Sequence, residues 1–146
     1  MLDHVETMFD SIPDMLKKLK KRSYESNMEL FRKRNASYFD EIIQYVETQE
    51  NKEKASATVA GFLADAAEKR FAGSNGKIKP RQQADLNFFM IYYTFPAILL
   101  TENENADLID KSICDEWARR FKDSKISYTD YGSIYNTFNE KILGIF

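Results

Sequence analysis

"LNFFMIYYTFPAILL", residues 86–100, is the most apolar run of the chain, with one asparagine near its start and one proline near its end. Fifteen residues of α-helix extend about 22 Å, short of the roughly 30 Å hydrocarbon core of a bilayer. Asp85 and Glu102 bracket the run with charge. A helix that is apolar all round belongs at the centre of a helical domain, with other helices packed about it. The expected fold is all-α, a compact bundle of five or six helices around a central apolar helix at about 80–101, in one domain over 1–146. No transmembrane segment is expected.

On a helical wheel the few polar residues of this stretch do not scatter. Gln83, Asn87, Thr94 and Thr101 fall within about 40° of one another at 100° per residue. Gln83, Asn87 and Thr94 thus form an uncharged polar stripe on an apolar rod. Pro96 has no N–H to offer the carbonyl of Tyr92, so one backbone acceptor is freed nearby. These groups either satisfy one another or face a small cavity that could take a polar ligand.

Helical periodicity continues outward on both sides. Val5, Met8, Phe9, Ile12, Met15, Leu16 and Leu19 share one arc, which runs in phase across Pro13 and predicts one kinked helix or two abutting ones. From Tyr24 to Gln49 a longer pattern places Met28, Phe31, Tyr38, Phe39, Ile42, Tyr45 and Val46 on one side. Arg32 and Asn35 fall inside that arc and are expected to be partly buried. A third helix buries Val59, Phe62, Leu63, Ala66, Ala67 and Phe71, while its Ala57, Ala60, Gly61 and Ala64 invite a close neighbour.

"AGSNGKIKP" breaks the chain, with Gly73 suited to a left-handed helix end and Pro80 to the start of the next helix. Thr101 and Glu104 read as a capping box ahead of a fifth helix carrying Leu108, Ile109, Ile113, Trp117 and Phe121. Tyr131, Ile134, Tyr135, Phe138 and Ile142 mark the last helix. The terminal Ile145 and Phe146 are expected to dock on the core or on a partner.

Composition narrows the chemistry. With 43% hydrophobic and 30% charged residues, five Gly and three Pro, the chain should fold. His4 is the only histidine and Cys114 the only cysteine, so the chain lacks the inventory for a disulfide, a Cys/His zinc site or a histidine-based triad within the bundle. Asp107 with Asp110, or Asp115 and Glu116 with Glu104, could meet a magnesium ion, but acids on an outer helix face are ordinarily solvated. The reading is non-enzymatic, with no catalytic residues, no metal and no cofactor. The acidic start "MLDHVETMFD" does not resemble a secretion signal, and the expected location is cytoplasmic.

The net charge of −2 conceals an asymmetry. Lys17, Lys18, Lys20, Lys21, Arg22, Arg32, Lys33 and Arg34 face only Glu25 and Glu29 within 17–34, whereas Glu102, Glu104, Asp107, Asp110, Asp115 and Glu116 face a single Lys111. A basic amphipathic segment suits phosphates, anionic lipid or an acidic protein surface. Eight Tyr and eleven Phe argue for an interface as well as a core. The leading expectation is a module acting through protein contacts, as a homo-oligomer or with a protein partner. Nucleic acid or another polyanion on the basic segment is the alternative, and a small molecule beside the polar stripe is a third reading.

"KPRQQADLNFFMIYYTFPAILL", "ICDEWARRF" and the final "FNEKILGIF" resemble a helical region of proteins from Clostridia-type bacteria. The resemblance covers residues 77–146 and rests on structural motifs. It implies an all-helical fold and no particular activity.

Overall fold

The computed structural model describes residues 3–72, 76–103, 109–122, 124, 126 and 128–143. Helices α1 (Ile12–Lys18), α2 (Tyr24–Arg34), α3 (Ala36–Glu47), α4 (Lys52–Phe71), α5 (Pro80–Phe89), α6 (Phe95–Glu102), α7 (Lys111–Arg120) and α8 (Tyr128–Leu143) make an all-α compact bundle. A 3₁₀ segment, Asp3–Ser11, precedes α1, and another, Leu19–Lys21, follows it.

The central element is one helix in three parts. Pro80 opens it after an extended Lys79, the backbone that a residue before proline prefers, and the Lys79 amide donates to Gln82 Oε1 at 2.8 Å. Between α5 and α6, Met90–Thr94 widens into a π-turn, with the Phe95 amide reaching back to the Met90 carbonyl. The wide turn lies one residue ahead of Pro96, where an α-helix would drive the proline ring against the Tyr92 carbonyl. That carbonyl accepts the Tyr24 hydroxyl of α2 at 2.7 Å, so the acceptor left open by the proline is closed by another helix.

Every residue from Phe89 to Leu100 is buried. The continuous helix Pro80–Glu102 has 23 residues, long enough to cross a bilayer, so the argument from length does not hold. Of its most apolar window, 78% is covered by the rest of the chain. α2, α3 and α8 pack on α6, α4 packs on α5, and α7 packs on the π-turn.

α4 and α8 form the most extensive helix pair among the described residues. The small residues of α4 allow it: a methyl added at Gly132 of α8 would lie 2.8 Å from Ala57 Cβ, closer than two carbons can stand. The N-terminal 3₁₀ segment lies on α4, where its Asp10 pairs with Arg70 at 3.1 Å, and Thr7 shares a 2.7 Å hydrogen bond with Tyr38 of α3. Val5, Met8 and Phe9 are at most 1% exposed.

Aromatics mostly serve the core. Phe9, Phe31, Phe39, Phe89, Phe95 and Phe138 are at most 2% exposed, and Phe31 meets Phe39 and Phe89 edge-on at 5.5 and 5.2 Å. Their abundance is thus no argument for an interface.

Two boundaries differ from expectation, and a third resolves between its two alternatives as an abutting pair. The helix expected over 24–49 breaks at Asn35, which is 3% exposed with φ −113° and ψ 18°. Its backbone N–H and its side-chain amide both donate to the Phe31 carbonyl, while its own carbonyl accepts from Tyr38 and Phe39, so one residue ends α2 and starts α3. The arc across Pro13 is a 3₁₀ segment joined to a short α-helix, as a proline that cannot donate to the preceding turn would favour. Helix α7 begins at Lys111, where Asp110 Oδ1 accepts from the Ser112 amide at 3.0 Å. Thr101 lies within α6, and its hydroxyl donates to the Ala97 carbonyl of that helix at 2.8 Å. Gly73, Glu104, Asp107, Leu108, Ile145, Phe146 and the side chains of His4, Ile12 and Ile142 lie outside the described residues.

Candidate functional site

The expected polar stripe is split. Gln83 and Asn87 are a bonded pair on α5, with Gln83 Nε2 donating to Asn87 Oδ1 at 2.9 Å, and they are 6% and 2% exposed. The Asn87 amide donates to the carbonyls of Phe121 and Ser124 at 2.7 and 2.8 Å, and the Tyr131 hydroxyl lies 3.4 Å from its Oδ1. Asn87 therefore ties the connection after α7 to the central helix, and the two carboxamides are turned to one another and to backbone.

Thr94 is elsewhere. A π-turn inserts roughly one residue, so side chains beyond it are displaced by about 100° from the phase that a uniform helix predicts. Thr94 is fully buried, and its hydroxyl has no partner among the described residues. An unmet buried hydroxyl is unfavourable, so Thr94→Val, which replaces it with a methyl of similar size, is expected to raise stability by about 1 to 2 kcal/mol. A urea midpoint that falls in the variant would show the hydroxyl to be bonded.

Around Tyr92 the π-turn, α2 and α7 converge. Tyr92 donates its hydroxyl to Asp115 Oδ1 at 2.6 Å, while Lys111 Nζ stands 5.8 Å from the ring centres of both Tyr24 and Tyr92. Burial, with the Asp115 carboxylate as acceptor, raises the Tyr92 hydroxyl above the usual phenol range. Cys114 is fully buried with Sγ 3.6 Å from the Ile91 carbonyl. Burial, and the neighbouring Asp115, push its thiol up to about 12, so it is no thiolate nucleophile at neutral pH. Among the acids considered for a magnesium ion, Asp115 is thus engaged with Tyr92 and Asp110 caps α7, its carboxyl held below the usual range by hydrogen bonds from Ser112. Among the described residues, no three His, Cys, Asp or Glu side chains form a group able to hold a metal.

The basic segment divides according to the helices that carry it. Lys18, Lys21, Arg22 and Arg34 rim a groove of about 230 Å³ between α1 and α2, whose floor is Met15, Leu30 and Phe31 and whose one acid is Asp14. Leu30 is 42% exposed, and with Phe88 it is one of two large apolar side chains well exposed among the described residues. Arg32 turns away: its guanidinium donates to the Leu100 carbonyl at 3.1 Å, and its Nε is buried without a partner. Lys20 faces a different hollow together with Arg22 and Lys111. Lys17 and Lys33 are exposed outside these hollows.

Leu30 and Phe88 are the residues that periodicity alone passes over. Leu30 falls off the apolar arc of α2, which marks it as outward-facing. Phe88 follows Arg81 and Asp85 at helical spacing, and all three are exposed on one stripe.

No protein-family model, curated protein or solved structure matches this chain.

Proposed function

We propose that this chain is a non-enzymatic, cytoplasmic contact module whose α1–α2 groove receives an acidic, amphipathic segment of a protein partner. The observation that carries the reading is the groove itself: an apolar floor with Leu30 at 42% exposure, set inside a rim of Lys18, Lys21, Arg22 and Arg34. Apolar floors with charged rims suit a helix that presents leucine-like side chains and carboxylates together. The one aromatic of the floor, Phe31, is 2% exposed and offers no open face to a base, so protein is favoured over nucleic acid at this groove.

The test is binding of a fluorescein-labelled helical peptide with leucines on one face and glutamates on the other. Reversing Lys21 and Arg34 to Glu is expected to weaken binding by about tenfold or more and to reduce its salt dependence. Equal binding by the reversed variant, or by a peptide with lysines in place of the glutamates, would overturn the reading.

Self-association is the second form of the same proposal. It is favoured by acids the chain itself carries on α7, where Asp115 and Glu116 are exposed, and by Asp110 just ahead of them. Sedimentation equilibrium showing a mass that rises with concentration and falls with salt would support it. A salt-independent monomer at all concentrations would leave only the separate partner.

A further inference from the structure

On the outer side of the central helix a second feature adjoins the α1–α2 groove, sharing Arg22 with it, and its case does not rest on the contact-module reading. Phe88 is 39% exposed, and its ring lies against that of Tyr92, with centroids 4.6 Å apart and planes tilted by 33°. Two hollows meet along this pair. The larger, of about 580 Å³, lies between α5 and α7 and has Ala84, Ala118, Asp85, Asp115, Arg119 and Lys122 on its walls. The smaller, of about 290 Å³, is walled by Lys20, Arg22 and Lys111 together with Tyr24 and Tyr93, and no acid lines it.

We propose that this face binds a nucleotide unit, with the base laid on Phe88 in the larger hollow and the phosphate among Lys20, Arg22 and Lys111 in the smaller. Two chemically different halves adjoin at one exposed aromatic ring, and a nucleotide is similarly divided into a flat ring and an anion. The larger hollow lies within the size range of small-molecule sites, which run from about 300 to 1,000 Å³. Its walls offer hydrogen-bond partners of both kinds for a base edge, since Asp85 accepts and Arg119 donates. Its own charges balance, so it has little to attract a bare anion, whereas the smaller hollow carries three cations.

The platform is also fixed beforehand. Tyr92 is held by its hydrogen bond to Asp115 at 2.6 Å, and Lys111 is poised 5.8 Å above the Tyr92 and Tyr24 rings, at the boundary between the hollows. A ring held in this way loses little freedom when a base stacks on it.

The experiment compares adenosine monophosphate, inorganic phosphate and a fluorescein-labelled oligoadenylate at low salt, by calorimetry for the first two and anisotropy for the third. Adenosine monophosphate is expected to bind at least about tenfold more tightly than phosphate. Phe88→Leu keeps an apolar side chain at an exposed position but removes the stacking face, and it should weaken binding about tenfold or more, in keeping with the usual loss per stacked base. Lys111→Gln should weaken binding and flatten its salt dependence. With the nucleotide ahead of phosphate, tighter binding of the oligomer per site would assign the site to a strand, and equal binding per site would assign it to free nucleotide; either result supports the proposal. If none of the three binds, if phosphate matches the nucleotide, or if Phe88→Leu with unchanged far-ultraviolet dichroism binds as well as the parent, the proposal is wrong.

Discussion

Raising the pH from 9 to 12 is expected to unfold this protein cooperatively, with helicity lost as tyrosinate absorbance appears. Tyr131 and Tyr135 are 3% and 2% exposed, and burial raises both hydroxyls far above the usual value of 10.0. Burial likewise raises Tyr24, Tyr92 and Tyr93, and pushes the Cys114 thiol from 9.0 up to about 12. In each case the folded chain holds its proton more tightly than the unfolded chain. The associated stability is fully present below pH 9 and is withdrawn as pH climbs through the unfolded values.

At pH 11 an ionisation wholly suppressed in the native state costs about 1 kcal/mol for a tyrosine and about 3 kcal/mol for the cysteine. Tyr131, Tyr135 and Cys114 alone then remove about 5 kcal/mol, against a total stability of about 5 to 15 kcal/mol for an ordinary domain. A titration followed at 295 nm and by far-ultraviolet dichroism checks this. Tyrosines that all ionise around pH 10 while the helices persist would refute it.

Asn87→Ala is expected to be the most damaging single truncation at a polar site, lowering stability by about 3 kcal/mol. It deletes both donors to the Phe121 and Ser124 carbonyls and the acceptor used by Gln83, in a place 2% exposed. Each buried group left without a partner costs about 1 to 3 kcal/mol, and local relaxation recovers part of the sum. Asn87→Asp has nearly the same shape and should be at least as harmful, because it turns a carboxylate oxygen toward two carbonyls. Urea unfolding with an unchanged slope gives the number. A loss under about 0.5 kcal/mol for both variants would mean that Asn87 does not hold the 121–124 connection.

The central helix was legible because its signals are local and agree: Pro80 at the start, unbroken apolarity, charge at both ends. Its observed span, Pro80–Glu102, differs from the expected 80–101 by a single residue. The stripe was misread beyond Asn87 because a wheel assumes a constant turn, and the π-turn ahead of Pro96 violates that assumption. Asn35 hid a break because its capping bonds run to backbone four residues away in either direction, which composition does not announce. Arg32 and Asn35 were rightly expected inside the bundle, since their phase gives it. The grooves were out of reach for a different reason. Lys18 and Lys21 come from the segment before α2, Leu30 and Arg34 from α2 itself, and only the angle at which the two meet decides whether the basic run is a plain surface or a rim.

The Tyr24 hydroxyl on the Tyr92 carbonyl has a consequence for how the chain acquires its shape. At Pro96 the central helix lacks one of the rungs it would otherwise build from its own backbone, and a residue 68 positions earlier in the chain fills the gap. A helix completed by a distant hydroxyl cannot be finished on its own. Secondary structure here and the docking of α2 are therefore a single event, so the middle of the bundle should be gained or lost as a unit and not by fraying inward from an end.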